Sequence, residues 1–501
     1  MAIPLFNSVA SWLLKKRIHQ IELFTRYPVE TQFEVLQNLV SYARTTSLGK
    51  RYDFGSIYDY KQFLERVPVV TYEDIAGVIE RTRLGEKNLF WPTPIKWYAK
   101  SSGTTNAKSK FIPVSTESLE DCHYKAGKDM LSLYFNNNPD AQLFKGKSLR
   151  LGGSQQLYHN NESYYGDLSA IIIDNMPLWA ELNSTPSHKV SLMPEWESKM
   201  AAIIAESVKD NVTSIAGVPS WMMVLLNALL DAEKKNTVHE IWPNLEVYFH
   251  GGVSFVPYRK QYENFFPGDQ LNYYEIYNAS EGFFAIQDLN QSDELLLMLD
   301  YGIFYEFIPL GEGVEAIVPL AAVEKNKDYE MVITTNAGLW RYRIGDVIRF
   351  TSLDPYRIKI SGRTKHYINV FGEELVIDNA EKALARAAEL TCANVVDFTA
   401  APIFMESKTK GGHEWLIEFD PLPNDLDRFT QILDETLKAL NSDYEAKRYK
   451  DTTMSAPKIH AASKGLFYQW LKSKGKLGGQ HKVPRLSNQR ELLEELLKMN
   501  A

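Results

Sequence analysis

The chain has 501 residues, 45% of them hydrophobic and 24% charged, the balance of a folded globular protein; disorder is excluded, and the length calls for at least two domains. A formal charge of -8, from 55 Lys and Arg against 63 Asp and Glu, speaks against a nucleic-acid partner. It leaves ATP open, because a phosphate site needs only local positive charge.

Two cysteines, Cys122 and Cys392, exclude a disulfide framework and fit a reducing cytoplasm. Met1 to Gln20 is apolar first and basic afterwards. A secretory signal has the reverse order, so this segment reads as an amphipathic helix on the body. No stretch is long and apolar enough to span a bilayer. Thr31 to Arg44 places Phe33, Leu36, Leu39 and Val40 at helical spacing. From Ile95 the texture changes to short strands. Trp97-Tyr98-Ala99 leads into Ser101 to Lys110, and Lys110 to Pro113 reads as the strand returning. Helices are predicted over Glu197 to Lys209 and Ser220 to Lys234, and a strand over Leu245 to His250 ends at Gly251-Gly252. Further strands are predicted over Leu295 to Pro309, Glu315 to Pro319 and Tyr329 to Thr334. After Ser361-Gly362-Arg363 the pattern starts afresh. Asp378 caps a helix, with Glu381 three residues on and Ala380, Ala383, Leu384 and Ala387 as its apolar stripe. Strands at Asn394 to Thr399 and Trp415 to Phe419, a helix over Leu426 to Leu440 and a last helix after Asn488 complete the chain. The expected division is a domain of residues 1–361 and a second of residues 362–501.

Three segments have the residue types for nucleotide chemistry. Ser101, Ser102, Gly103, Thr104 and Thr105 offer hydroxyls and unencumbered backbone N–H groups to phosphate oxygens, and Lys110 adds a positive charge. The Walker A spacing is absent, and a solvated hairpin turn is the competing reading. Tyr277-Asn278-Ala279-Ser280-Glu281-Gly282 offers an aromatic ring to a purine and a carboxylate to Mg²⁺. In Tyr342-Arg343-Ile344-Gly345-Asp346 the carboxylate suits a ribose diol. The second also reads as a half-buried strand ending in a polar turn, and the third as an ordinary β-turn with an Arg–Asp pair.

Taken together and in order, the three resemble the motifs of the adenylate-forming superfamily. Within it they are most similar to the plant auxin-responsive acyl-acid amido synthetases (the Gretchen Hagen family) and their bacterial relatives. Ser101 to Lys110 matches that family's phosphate loop except that Ala107 replaces a glycine, and Lys110-Phe111-Ile112-Pro113 continues it. Asn441 to Arg448 and Gln480-His481-Lys482-Val483-Pro484-Arg485 add two family-specific likenesses. The second motif departs in Ala279, where relatives carry a hydroxyl.

The resemblance implies an α/β fold: a large N-terminal domain of β-sheets or a β-barrel flanked by helices, and a smaller mobile α+β C-terminal lid. It implies an ATP- and Mg²⁺-dependent ligase that adenylates a carboxylic acid and passes the acyl group to an amino acid or other amine. Ser101 to Thr105 would hold the phosphates, Gly251, Gly252 and Tyr277 the adenine, Ser280 the α-phosphate and Asp346 the ribose. Glu281 would bind Mg²⁺, Arg363 would lie near the nucleotide, and Lys365 would be the hinge. Lys110, Glu281 and Lys482 would be the catalytic residues, with Lys474 and Lys476 as rivals of Lys482. Leu151 to Ser154 and Tyr164 to Ser169, with Trp179, Trp196 and Trp221, fall where relatives build the acyl pocket; His123 lies on the helix bordering it. No membrane or nucleic-acid partner is implied, and a cytoplasmic monomer is expected. Two other readings are an acyl-CoA ligase of the same superfamily, and a pseudoenzyme that binds nucleotide or acid without turnover. Removing a well-placed charge donor costs about a hundred- to thousandfold in rate. Lys482→Ala is therefore expected to lower acid-dependent pyrophosphate release by about that factor with the melting temperature unchanged; near-normal release removes Lys482 from the reaction.

Overall fold

The apolar spacing near the N-terminus does form helices. The computed structural model describes residues 16–500 apart from 102–109, 153–157, 161–162, 194–195, 254, 256–257, 269, 364–366, 406–409, 452 and 475–482, and describes residues 101, 158, 160, 178–179, 196–197, 220, 260, 362–363, 378, 451 and 472 in backbone only. Residues 16–26 are helical, and Arg17 ties them to the body through Asp129 at 2.8 Å and Asp300 at 2.7 Å. In the next helix, Pro28–Ala43, Leu36, Leu39 and Val40 are buried, but Phe33, expected in the same stripe, is 44% exposed. Gln32 takes the inward place instead. Its amide donates to the Leu299 and Ile303 carbonyls and accepts from the Tyr305 N–H, at 2.8–3.0 Å. A polar side chain so bonded can occupy a core position.

Strands β1 (Trp97–Ser101) and β2 (Lys110–Val114) form a hairpin. β3 (Lys147–Arg150) enters a larger sheet, whereas β4 (Tyr158–Asn160) and β5 (Ser163–Gly166) join the hairpin in the order β2-β1-β5-β4. The larger sheet has twelve strands. Its parallel half contains β3, β6 (Ser184–Thr185), β7 (Val212–Gly217), β8 (Val247–Gly251) and β9 (Asn272–Ala279). Parallel neighbours need crossovers, and helices Trp196–Ser207 and Pro219–Glu233 supply them. Leu225, Leu226 and Leu229 pack there against Leu149, Ile215 and Tyr248.

The other half is antiparallel: β10 (Gly282–Ile286), β11 (Leu295–Leu297), β12 (Ile303–Pro309), β13 (Val318–Pro319), β14 (Asp328–Thr335), β15 (Tyr342–Leu353) and β16 (Tyr356–Arg363). The sheet order is β13-β12-β14-β15-β16-β11-β10-β9-β8-β7-β3-β6. Both faces of β12 are buried, so the alternation of a one-sided strand is missing. Phe284, Leu297, Tyr305, Phe307, Ile333 and Phe350 share one core. Phe304 packs on the other side with Phe63 and Trp340 against the N-terminal helices. There Arg341 donates to both Glu306 oxygens at 2.8 and 2.9 Å and to the Val67 carbonyl at 2.6 Å.

The C-terminal domain holds the ribbon β17 (Tyr367–Ile368) and β18 (Leu375–Val376), then β19 (Val395–Ile403), β20 (Gly412–Phe419) and β21 (Lys458–Ala462) in the order β19-β20-β21. Helices Ile377–Thr391 and Leu426–Leu440 lie near the predicted positions, and the last is Glu491–Met499. Asp378 is not the cap: Val376 is, because β18 runs directly into the helix, which places Asp378 inside the first turn. The domain docks on the body where Tyr258 donates to the Val370 carbonyl at 2.6 Å and Gln261 to the Met405 carbonyl at 3.1 Å. Removing one partner of a buried ion pair costs about 3–5 kcal/mol. Arg341→Met is therefore expected to lower the urea midpoint strongly, and a midpoint within error of the parent contradicts the pairing.

Candidate functional site

β9 and β15 lie four ladder steps apart in the sheet. In a flat sheet that is about 19 Å. Yet the Tyr277 hydroxyl on β9 donates to Asp346 Oδ2 on β15 at 2.6 Å, with both residues buried. The antiparallel half must therefore roll up, and register shifts in the β9–β10, β14–β15 and β15–β16 ladders supply the bends. The roll brings the second and third motifs together. Asp346 also faces Arg363 across the β15–β16 ladder. Arg343, three residues before Asp346, is turned away and forks onto Glu330 at 2.6 and 2.8 Å, so the Arg–Asp pair of the turn reading does not form.

The parallel strands end beside Tyr277. Gly251 pairs with Ile276, so Gly252 follows at the level of Tyr277. A Cβ on Gly251 would run into the Ile276 carbonyl, and Gly252 has φ +81°; both positions need glycine. Crevices outside the carboxyl ends of parallel strands are where open α/β sheets bind ligands. Ser280 and Glu281 form the two-residue turn of the β9–β10 hairpin, between paired Ala279 and Gly282. His250 stacks on Phe255 at 4.1 Å, and burial pushes its imidazole down to about 3, so it is neutral at pH 7. The Tyr277 ring packs on Phe284 at 4.9 Å.

Ser102 to Thr105 lie outside the described residues, but the base of their loop is defined. Ser101 and Lys110 are the last pair of the β1–β2 ladder, so the segment links two strands, as read from the sequence, and no helix follows directly. Val70–Tyr72 connects this base to the third motif: Val70 bridges Tyr342, and the Tyr72 hydroxyl accepts from the Phe111 N–H at 2.8 Å. The Lys110 ammonium lies 5.7 Å from the Tyr72 ring. β1 runs parallel to β5 with Ala99 beside Gly166, which puts Asp167 next to Lys100. Burial raises the Asp167 carboxyl against the pull of Lys447, Lys100 and Lys199. Lys199, 3% exposed, is pushed down to about 8 by burial, with Asp167 opposing. Glu275, two residues before Tyr277, is pushed up to about 7 by burial. Sequence reading missed Lys199 and Glu275, because neither sits in a motif and only the tertiary packing desolvates them.

Lys365, Lys476 and Lys482 lie outside the described residues. Lys474 is paired with Glu495 at 2.7 Å. His123 is buried and held down to about 4 by desolvation, and Cys122 is buried with its thiol pushed up to about 12. Both behave as core. Among the described residues no group of three metal-type ligands occurs. Mg²⁺ on a nucleotide needs only one or two carboxylates besides phosphate oxygens, and a turn carboxylate such as Glu281 fits that donor set. A hydrogen bond to a charged group contributes about 1.5–3 kcal/mol. If Asp346 holds a ribose, Tyr277→Phe is expected to weaken ATP binding about tenfold or more in a calorimetric titration; unchanged affinity separates the pair from the nucleotide.

The sequence profile of the GH3 family N-terminal domain matches residues 17–271, that of the GH3 family central domain residues 296–363, and that of the GH3 family C-terminal domain residues 378–491. The chain is 25% identical to indole-3-acetic acid-amido synthetase GH3.4 of Arabidopsis thaliana, covering 94% of this chain and 91% of that one. It is 23% identical to jasmonoyl--L-amino acid synthetase JAR4 of Nicotiana attenuata, covering 93% and 92%. Among solved structures, AtGH3.15 acyl acid amido synthetase in complex with 2,4-DB superposes with TM-score 0.63 at 21% identity, covering 96% and 95%. A 2-hydroxyisobutyryl-CoA ligase with 2-HIB-AMP and CoA superposes with TM-score 0.58 at 13% identity, covering 94% and 91%; the fold is that of adenylate-forming enzymes. Three adjoining profiles and near full-length relatives agree, and the chain belongs to the GH3 family.

Proposed function

We propose that this protein is an ATP-dependent acyl-acid amido synthetase acting on a small carboxylic acid and an amino acid or other amine. The observation that supports it most is the closure of Tyr277 onto Asp346 beside the Gly251-Gly252 strand end, with the Glu281 turn at the end of the same β9–β10 hairpin and Val70–Tyr72 tying the base of the Ser101–Lys110 loop to the third motif. The substrate carboxylate attacks the α-phosphorus, the bond to the β-phosphate breaks, and pyrophosphate leaves. The amine nitrogen then attacks the acyl carbon and loses a proton; the acyl–oxygen bond breaks and AMP departs. Neither step needs an enzyme nucleophile, so positioning and charge carry the rate.

In this scheme Ser101 to Thr105 and Lys110 cradle the phosphates, Gly251, Gly252 and Tyr277 border the base, and Ser280 lies at the α-phosphate. Asp346 takes the ribose with Arg363 alongside. Glu281 holds Mg²⁺, which supplies charge neutralisation between two anions. Residues 1–361 form the adenylating body and residues 362–501 a lid that turns at Lys365 and brings in Lys482. The protein works as a cytoplasmic monomer; no helix among the described residues is long and apolar enough to cross a membrane. The test is a pyrophosphate-release screen over carboxylic acids, without and then with amino acids. One or more acids should trigger release, and amines should add AMP and amide; in Glu281→Gln the release should need far more Mg²⁺. A chain that binds ATP but releases no pyrophosphate with any acid would falsify the proposal, and faster AMP release with coenzyme A than with amines would redirect it to thioester formation.

A further inference from the structure

At one edge of the larger sheet lies β6, only two residues long, because Pro186 has no N–H with which to continue the ladder. Its rungs pair Ser148 with Ser184 and Leu149 with Thr185. Arg150, the next residue of β3, therefore stands beyond the last rung, at the carboxyl end of its strand. A small cavity opens there, lined from β3, from β6 and from the helices Leu168–Asp174 and His188–Ser191. In the sheet β3 is two ladder steps from β8, about 10 Å, so the cavity is separate from the Gly251-Gly252 strand end.

Arg150 is half-buried in this cavity, and its guanidinium makes one hydrogen bond among the described residues, from Nη1 to Met176 Sδ at 3.0 Å. A thioether is a weak and uncharged acceptor. Burial pushes Arg150 down to about 10, and no carboxylate pulls it back up. At pH 7 it is a full positive charge without a counter-ion. Arg17, Arg341, Arg343 and Arg357 show the usual solution, since each holds a carboxylate within 2.8 Å. A buried charge left unpaired is strongly destabilising.

Three more polar groups of the cavity have no partner among the described residues. Thr185 is 1% exposed and its hydroxyl is unbonded. The His188 imidazole is half-buried, and the exposed Glu181 carboxylate stands at the rim without an ion pair. The space amounts to about 20 Å³, room for one water-sized particle and too little for a phosphate. A water molecule there would satisfy N–H groups and leave the charge. A monatomic anion satisfies both.

We propose that this cavity is a binding site for one chloride-sized anion, held by the Arg150 guanidinium with the Thr185 hydroxyl and the His188 imidazole as further donors. The bound ion neutralises Arg150 and braces the sheet edge, where β3, β6 and Met176 meet. Glu181 is the rival within the chain, because a turn of its side chain would bring a carboxylate to the same charge. The test is urea unfolding of the full chain across chloride concentrations at fixed ionic strength, with gluconate, too large for the cavity, as the balancing anion. Above the dissociation constant, each tenfold rise in chloride should multiply the folded-to-unfolded ratio about tenfold. Arg150→Met should lose that dependence and, in gluconate, should be at least as stable as the parent, because an unpaired charge is gone. Glu181→Gln should keep the dependence, and crystals grown in bromide should show an anomalous peak within hydrogen-bond distance of the guanidinium. The site is overturned by a parent indifferent to chloride, by an equal dependence in Arg150→Met, or by a dependence seen only in Glu181→Gln. An Arg150→Met chain weaker than the parent in gluconate, or a cavity without bromide, overturns it as well.

Discussion

The hydrogen bond from Tyr277 to Asp346 joins strands that a flat sheet would hold far apart, and the approach of the second motif to the third depends on that closure. Two sheet types meet at β9, parallel on one side and antiparallel on the other. The parallel side delivers the glycine strand ends, and the rolled antiparallel side delivers Asp346 and Arg363. The closing bond lies inside a core that includes Phe284 and Ile348, away from competing water, where it is electrostatically stronger than at a surface.

Burial also sorts the ionisable groups. Arg341 and Glu306 are buried as a hydrogen-bonded pair and hold the N-terminal helices to the roll. His250 and Glu275, paired across β8–β9, and Lys199 and Asp167, which attract each other, are desolvated, and each is shifted toward its neutral form. Such clustering of shifted groups is a feature of functional sites. It fits chemistry in which an amine must lose a proton and anions must meet.

The C-terminal domain is built on the same economy of polar groups. Asn441 donates to the Glu373 and Glu374 carbonyls, Tyr444 and Arg448 of the short helix Ser442–Arg448 bond Asp434, and buried Glu414 pairs with Lys458 and Arg490 across the sheet. The helix is only seven residues long, too short to be stable alone; the Asn441 cap and the Asp434 bonds hold it.

The helix over Leu426–Leu440 and the hairpin around residues 102–109 were legible from the sequence, because helical spacing and turn chemistry act between near neighbours. The three motifs are local runs as well, and the structure brings the second and third together through Tyr277 and Asp346. Phe33 and Asp378 show where local rules end: Gln32 wins the inward position through carbonyls some 270 residues away, and β18 fixes where its helix begins. The meeting of Tyr277 with Asp346 and the desolvation of Lys199 and Glu275 were decided only in three dimensions. Each depends on which strands neighbour and how far the sheet rolls, and those follow from long-range packing that no short window of sequence contains.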